Sequence, residues 1–75
     1  MFERQVINMF RINAKIVRDF LFERGLSLRE FATAAQINAL TAAKITRDGA
    51  TVTAKILAKI AAFLNVDGDE LILKG

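Results

Sequence analysis

Residues 26–45 read LSLREFATAAQINALTAAKI, and this stretch decides the fold. It opens on Leu26-Ser27-Leu28-Arg29-Glu30-Phe31, where Ser27 and Glu30 are spaced for a capping box and Leu26 and Phe31 for a hydrophobic staple. The spacing predicts a helix over Leu28 to Ala35. Only Gln36, Ile37 and Asn38 follow before Asn38 caps a second helix, expected from Ala39 to about Asp48 with Gly49 ending it. Two short helices joined by so tight a turn must cross steeply, which leaves the second projecting from the body. Its apolar anchors Ala42 and Ile45 are three apart, so Ala39, Leu40, Ala43, Lys44 and Arg47 fall on the outward face. A small, slightly apolar and basic rod of this kind fits the B-DNA major groove. Lys can donate to guanine acceptors there, and Leu or Ala can touch a thymine methyl. A tight helical pair is also generic in small helical proteins, so the pattern alone leaves both readings open.

Moving outward, the same grammar marks the other helix starts. Asn13 precedes a helix from about Ala14 to Arg24 that stops at Gly25 and buries Ile16, Val17, Phe20 and Leu21. A later helix starts after Thr53, buries Ile56, Leu57, Ile60, Ala61 and Leu64, and ends at Asn65. Val66-Asp67-Gly68-Asp69-Glu70-Leu71 repeats the capping pattern and begins a short fifth helix, expected from Gly68 to Leu73. The expectation is an all-α domain over residues 13–75, with residues 1–12 set apart as an N-terminal extension. Within that extension Phe2, Val6 and Phe10 suit a helix, whereas Phe10-Arg11-Ile12 suits a short extended segment.

Composition bounds what such a chain can be. Seventy-five residues, 53% of them apolar and 25% charged, make one small domain with a core and exclude a disordered chain. There is no Cys and no His, hence no disulfide framework and no thiolate or imidazole metal site. No run approaches the roughly 18 apolar residues of a membrane span, and the first residues lack the order of a secretory signal, so a cytoplasmic protein is expected. Residues 1–47 carry eight basic and four acidic side chains, a balance of +4, and residues 48–75 carry three and four, a balance of −1. A mildly basic first two thirds suits a polyanion partner or a merely solvated face. Asp67, Asp69 and Glu70 cluster as metal ligands might, but first-turn carboxylates opposing a helix dipole explain them better, and no cofactor is expected. No catalytic constellation is visible, so an enzyme is not expected.

From about Asn13 to Leu73 the chain resembles the phage-repressor and Cro type of helix-turn-helix domain, the XRE-like family. The run Gly25-Leu26-Ser27-Leu28-Arg29-Glu30-Phe31-Ala32 is similar to that family's "GLTQEELA". Ile37-Asn38 with Ile45, Arg47 and Gly49 falls where its "VS…I.R.G" lies, and Ile60 to Val66 followed by Asp67 to Leu71 resembles its "IAxALGV…LL". The resemblance implies a five-helix, lambda-repressor-like bundle. It also implies a sequence-specific transcriptional regulator of double-stranded DNA, a small repressor of phage or mobile-element kind that binds as a homodimer. It places DNA contacts at Ser27, Leu28 and Arg29, at Asn38, Ala39, Leu40, Ala43, Lys44 and Arg47, and at Thr53 and Lys55.

The departures from the family pattern are specific. Leu28 stands where a phosphate-binding Gln is usual, which passes that contact to backbone N–H groups and Ser27. Gln36 replaces the usual turn Gly, so a conserved turn shape would force a non-Gly residue into a left-handed conformation. Ala39, Leu40 and Ala43 stand where relatives carry Gln, Ser, Arg or Glu. Leu21 and Thr46 stand where some relatives pair Arg with Glu, which reads as an apolar replacement of that pair. The sparse polar content of the outward face also suits a protein-interaction module that keeps the fold without reading DNA. Phe2, Phe10, Phe22 and Phe63 exceed what the core clearly needs, so either a second copy covers them or residues 1–12 fold back over them.

Overall fold

Side-chain caps set the helix starts. The computed structural model describes residues 9–73, in the order β1 (Met9–Arg11), α1 (Ala14–Arg24), α2 (Leu28–Ala35), α3 (Ala39–Ile45), β2 (Thr51–Thr53), α4 (Ala54–Leu64) and α5 (Gly68–Leu71). Ser27 Oγ accepts from the Glu30 N–H at 3.1 Å while Glu30 Oε1 accepts from the Ser27 N–H at 2.8 Å, closing the capping box. Asn38 Oδ1 accepts from the Leu40 N–H at 2.7 Å, and Thr53 Oγ1 from the Ile56 N–H at 3.4 Å. Glu70 Oε2 accepts from the Asp67 N–H at 3.0 Å at the start of α5. Asn13 precedes α1, but its side chain makes no capping bond. At the other ends, Gly25 and Asn65 take the left-handed conformation, as their positions in the sequence require.

The all-α expectation needs correction, because β1 and β2 form a two-stranded antiparallel sheet. Met9 lies opposite Thr53, Phe10 opposite Val52 and Arg11 opposite Thr51. The extended reading of Phe10-Arg11-Ile12 therefore holds over the helical one, for alternation sends Phe10 and Ile12 to the core side and Arg11 to solvent. Phe2 and Val6 lie outside the described residues. Ile12 is fully buried: its N–H donates to Ala50 O at 2.9 Å, and it bridges to Ile72 on its other side. The Leu73 N–H donates to Arg11 O at 2.8 Å and the Asn13 N–H to Leu71 O at 2.6 Å. Met9 to Ile12, grouped above with the N-terminal extension, are thus paired into the body of the fold.

Two helices end earlier than expected. The third stops at Ile45, where the Thr46 hydroxyl donates to Ala43 O at 2.8 Å and the Arg47 N–H to Lys44 O at 3.0 Å. These bonds wind the chain into a turn through Gly49 that delivers Ala50 to Ile12. The fifth helix stops at Leu71 because Ile72 is taken up by the bridge to Ile12.

The core is centred on Phe31, Ile12, Ile45, Ile60, Leu71 and Val17, all fully buried. In the first helix Val17 and Leu21 are buried, while Ile16 and Phe20 are half-buried against the core. Phe63 links two rings, with centroids 5.4 Å from Phe31 and 5.5 Å, edge-on, from Phe20. The Arg24 guanidinium lies 4.7 Å above Phe20 on the outer side. Phe10 and Phe63 are therefore core material, and of the four surplus rings only Phe22 stands exposed among the described residues.

The capping box gives a stability test. Ser27→Ala should lower stability by about 1 kcal/mol, read as a lower melting temperature. The bond from the Ser27 backbone N–H first, and the nearby Ser27 hydroxyl second, hold the Glu30 carboxyl below the usual glutamate range. Glu30 therefore stabilises the fold above its unfolded pKa, and that contribution is lost as pH falls through the lower folded value. Ser27→Ala, which breaks the hydroxyl half of the box, should weaken this acid-side dependence in melting curves at pH 3 to 6.

Candidate nucleic-acid interface

The turn between α2 and α3 is held by backbone, core and a distant lysine together. Gln36 adopts φ 60° and ψ 44°, the left-handed conformation expected if it fills the place of a turn glycine. Its N–H donates to Thr33 O at 3.2 Å and that of Ile37 to Ala32 O at 2.9 Å, which satisfies the end of α2. Ile37 is half-buried against the core, and Lys59 of α4 donates to Gln36 O at 3.1 Å. Ala42 and Ile45, fully buried, then seat α3 on the body.

The far end of α3 is tied to α1. Arg18 donates to Thr46 O at 2.9 Å and to Asp48 Oδ1 at 3.2 Å. The apolar replacement inferred at Leu21 and Thr46 is therefore half of the account. Leu21 is buried, but the link between these helices stays polar, carried by an Arg one turn earlier and accepted partly by backbone. Asp48 thereby faces Arg18, and from Gln36 to Arg47 the chain holds no acidic residue.

The contact positions expected from sequence lie on three segments. Ser27 caps α2, and Leu28 and Arg29 are exposed in its first turn. Asn38 caps α3; Ala39, Leu40, Lys44 and Arg47 are exposed along it and just past it, and Ala43 is half-exposed. Thr53 ends β2 and caps α4, with Lys55 exposed beyond it. Leu40 is 81% exposed, a large apolar side chain with almost no cover.

Two residues that sequence reading passed over lie next to these segments. Arg11 stands directly opposite Thr51 in the sheet, so its exposed side chain shares the solvent face of the strand that leads to Thr53. The alternation Phe10-Arg11-Ile12 was the available signal. Lys59 supports the turn from below, which nothing in the sequence marks. Asp67, Asp69 and Glu70 belong to no metal-binding group of three or more among the described residues, Glu70 being folded back on the Asp67 amide.

A family model described as helix-turn-helix matches residues 15–71. The chain belongs to the XRE-type helix-turn-helix family. The matched span runs from the second residue of α1 to the last of α5, and strand β1 lies before it. The family is one of DNA-binding transcription regulators, and its partner is double-stranded DNA. No curated protein and no solved structure matches the chain. Among the described residues, no helix of this helix-turn-helix domain is long and apolar enough to cross a membrane.

The left-handed Gln36 yields a prediction. A side chain in that conformation costs about 1 kcal/mol or more, which exceeds the entropic penalty that Gly brings to the unfolded chain. Gln36→Gly should raise the denaturation midpoint, while Gln36→Val, whose branched side chain tolerates positive φ poorly, should lower it.

Proposed function

We propose that the protein is a small repressor of phage or mobile-element type with a lambda-repressor-like bundle, acting on cytoplasmic DNA. In this reading α3 lies in the major groove. The observation that carries it is the two-sided character of α3: Ala42 and Ile45 fully buried on one side, Leu40, Lys44 and Arg47 exposed on the other. A helix pinned by a strained turn at one end and by Arg18 at the other costs little further ordering on binding. Lys44, one turn beyond Leu40 on the same face, meets base edges, and Arg47, past the helix end, meets a phosphate. The first-turn amides of α2, with Arg29, Asn38, Thr53, Lys55 and Arg11, contact the backbone and fix the register. The function uses no catalytic residue and no cofactor. A second reading, a protein-interaction module, is favoured by one observation, the bare Leu40 side chain.

A homodimer completes the proposal, since symmetric half-sites need two copies and one such module alone binds weakly. Phe22, 88% exposed on α1, is the side chain a second copy would cover. Sedimentation at high micromolar concentration should show a species about twice 8.3 kDa, and a solution of 8.3 kDa monomers alone would refute the dimer.

The DNA reading is tested by binding to one selected duplex and one scrambled duplex across a salt series. Arg47→Ala should weaken both alike and lower the slope of log affinity against log salt by about one unit. Lys44→Ala should cost about 1 to 3 kcal/mol, mostly on the selected duplex. Equal affinities for all variants would hand the function to the interaction-module reading.

A further inference from the structure

The major groove offers two kinds of hydrogen-bonding group and one apolar one. Adenine N6 and cytosine N4 donate and need an acceptor from the protein. Guanine O6, purine N7 and thymine O4 accept and need a donor, and thymine adds its C5 methyl. The structure permits a count of what α3 can supply. Its outward positions are Ala39, Leu40, Ala43 and Lys44, with Arg47 just past its end, and none carries an acceptor. Beside this face, the Asp48 carboxylate is paired with Arg18 at 3.2 Å, and Gln36 lines a groove with Lys59, Ala62 and Phe63 of α4. Three further side chains have oxygens. Asn38 Oδ1 is engaged as the cap, 2.7 Å from the Leu40 N–H. Thr46 is half-buried, and the hydrogen bond its hydroxyl donates to Ala43 O at 2.8 Å turns the side chain back along the helix. Thr41, also half-buried, stands one turn before fully buried Ile45 and so on the flank that faces the body. In the first turn of α2 Leu28 is 41% exposed, Ser27 Oγ is committed to the Glu30 N–H, and the Glu30 carboxylate is folded back on the Ser27 N–H.

From this inventory we propose that the outward face of α3 reads bases through donated hydrogen bonds and methyl contacts alone. It recognises guanine acceptors with Lys44 and the C5 methyl of thymine with Leu40, and leaves the amino groups of adenine and cytosine unread. The inference rests on the DNA-binding reading above and narrows the class of site: thymine and guanine at the positions α3 covers. Leu40 is the residue that the free protein leaves most wastefully hydrated on this face, and a thymine methyl is the apolar group the groove presents to it. Contact removes both from water.

Thymine and uracil differ only by that methyl, which makes the test direct. The preferred 20-base-pair duplex is selected from a random pool, then resynthesised with deoxyuridine in place of thymidine, one position at a time, and affinities are measured by fluorescence anisotropy. At least one position should lose about fourfold in affinity, as expected for one buried apolar carbon, and Leu40→Ala should show no loss at that position. Comparing the two proteins separates side-chain contact from a change in DNA stiffness, which would affect both. Equal affinity for thymine and uracil at every position would overturn the inference while leaving DNA binding intact, as would a uracil penalty undiminished in Leu40→Ala. If the variant fails to fold, the uracil series on the unaltered protein still decides whether any methyl is read. Failure of every duplex to bind would instead remove the DNA-binding reading, and this inference with it.

Discussion

Everything the surface of this domain presents depends on how tightly the chain turns between Ala35 and Ala39. Three residues must reverse the backbone, close the end of one helix and cap the next. They do so with Gln36 in a left-handed conformation that its side chain disfavours, Ile37 pressed into the core and Asn38 holding the first turn of α3. The strain at Gln36 persists because its surroundings over-determine it: the end of α2, the half-buried Ile37 and the Lys59 ammonium all fix the same peptide. Relaxing the turn would lift Ala42 and Ile45 of α3 out of the core and bring apolar surface into water.

A second seam closes the domain around that unit. Ile12 is the point where the start of the described chain, the segment after α3 and the segment after α5 meet, through backbone bonds at Ala50, Leu71 and Leu73. Because Ile12 is fully buried, its pairing fixes β2, and β2 fixes where α4 begins. The seam thus sets the distance between the end of α3 and the Thr53 cap, and it brings Arg11 alongside the same connection. A strand of three residues thereby helps to shape a surface otherwise made by helices.

Many of the side-chain acceptors around the helix starts are used by the fold itself. Ser27, Asn38 and Thr53 accept backbone N–H groups at helix starts, and Glu30 and Glu70 fold back on the starts of α2 and α5. Of the other acids, Asp19 meets Lys15 and Asp48 meets Arg18. What remains on α3 is a face of methyl groups and cations. The same side chains thus serve stability and limit recognition: an oxygen held against a helix-start amide is fixed in place and is not free to turn toward a partner.

The sequence by itself determined the five helices, their starts at Ser27, Asn38, Thr53 and Asp67, the stops at Gly25 and Asn65, and the outward face of α3. These are local matters, for a cap bonds an amide two or three residues away and the helical period fixes which side chains share a face. Its family motifs, strung in order, were legible for the same reason. Only the tertiary structure decided the pairing of β1 with β2, the early ends of α3 and α5, the Arg18 link to Thr46 and Asp48, and the support of Gln36 by Lys59. The Arg18 contacts join residues 28 and 30 apart and the Lys59 contact residues 23 apart. Nothing in a neighbouring residue encodes such contacts; they exist because burying Phe31, Ile12 and Ile45 in one core brings distant segments within hydrogen-bonding reach. Three-residue strands carry too little pattern to be read along the chain, and they become strands here only because Ile12 and Val52 have the same core to fill.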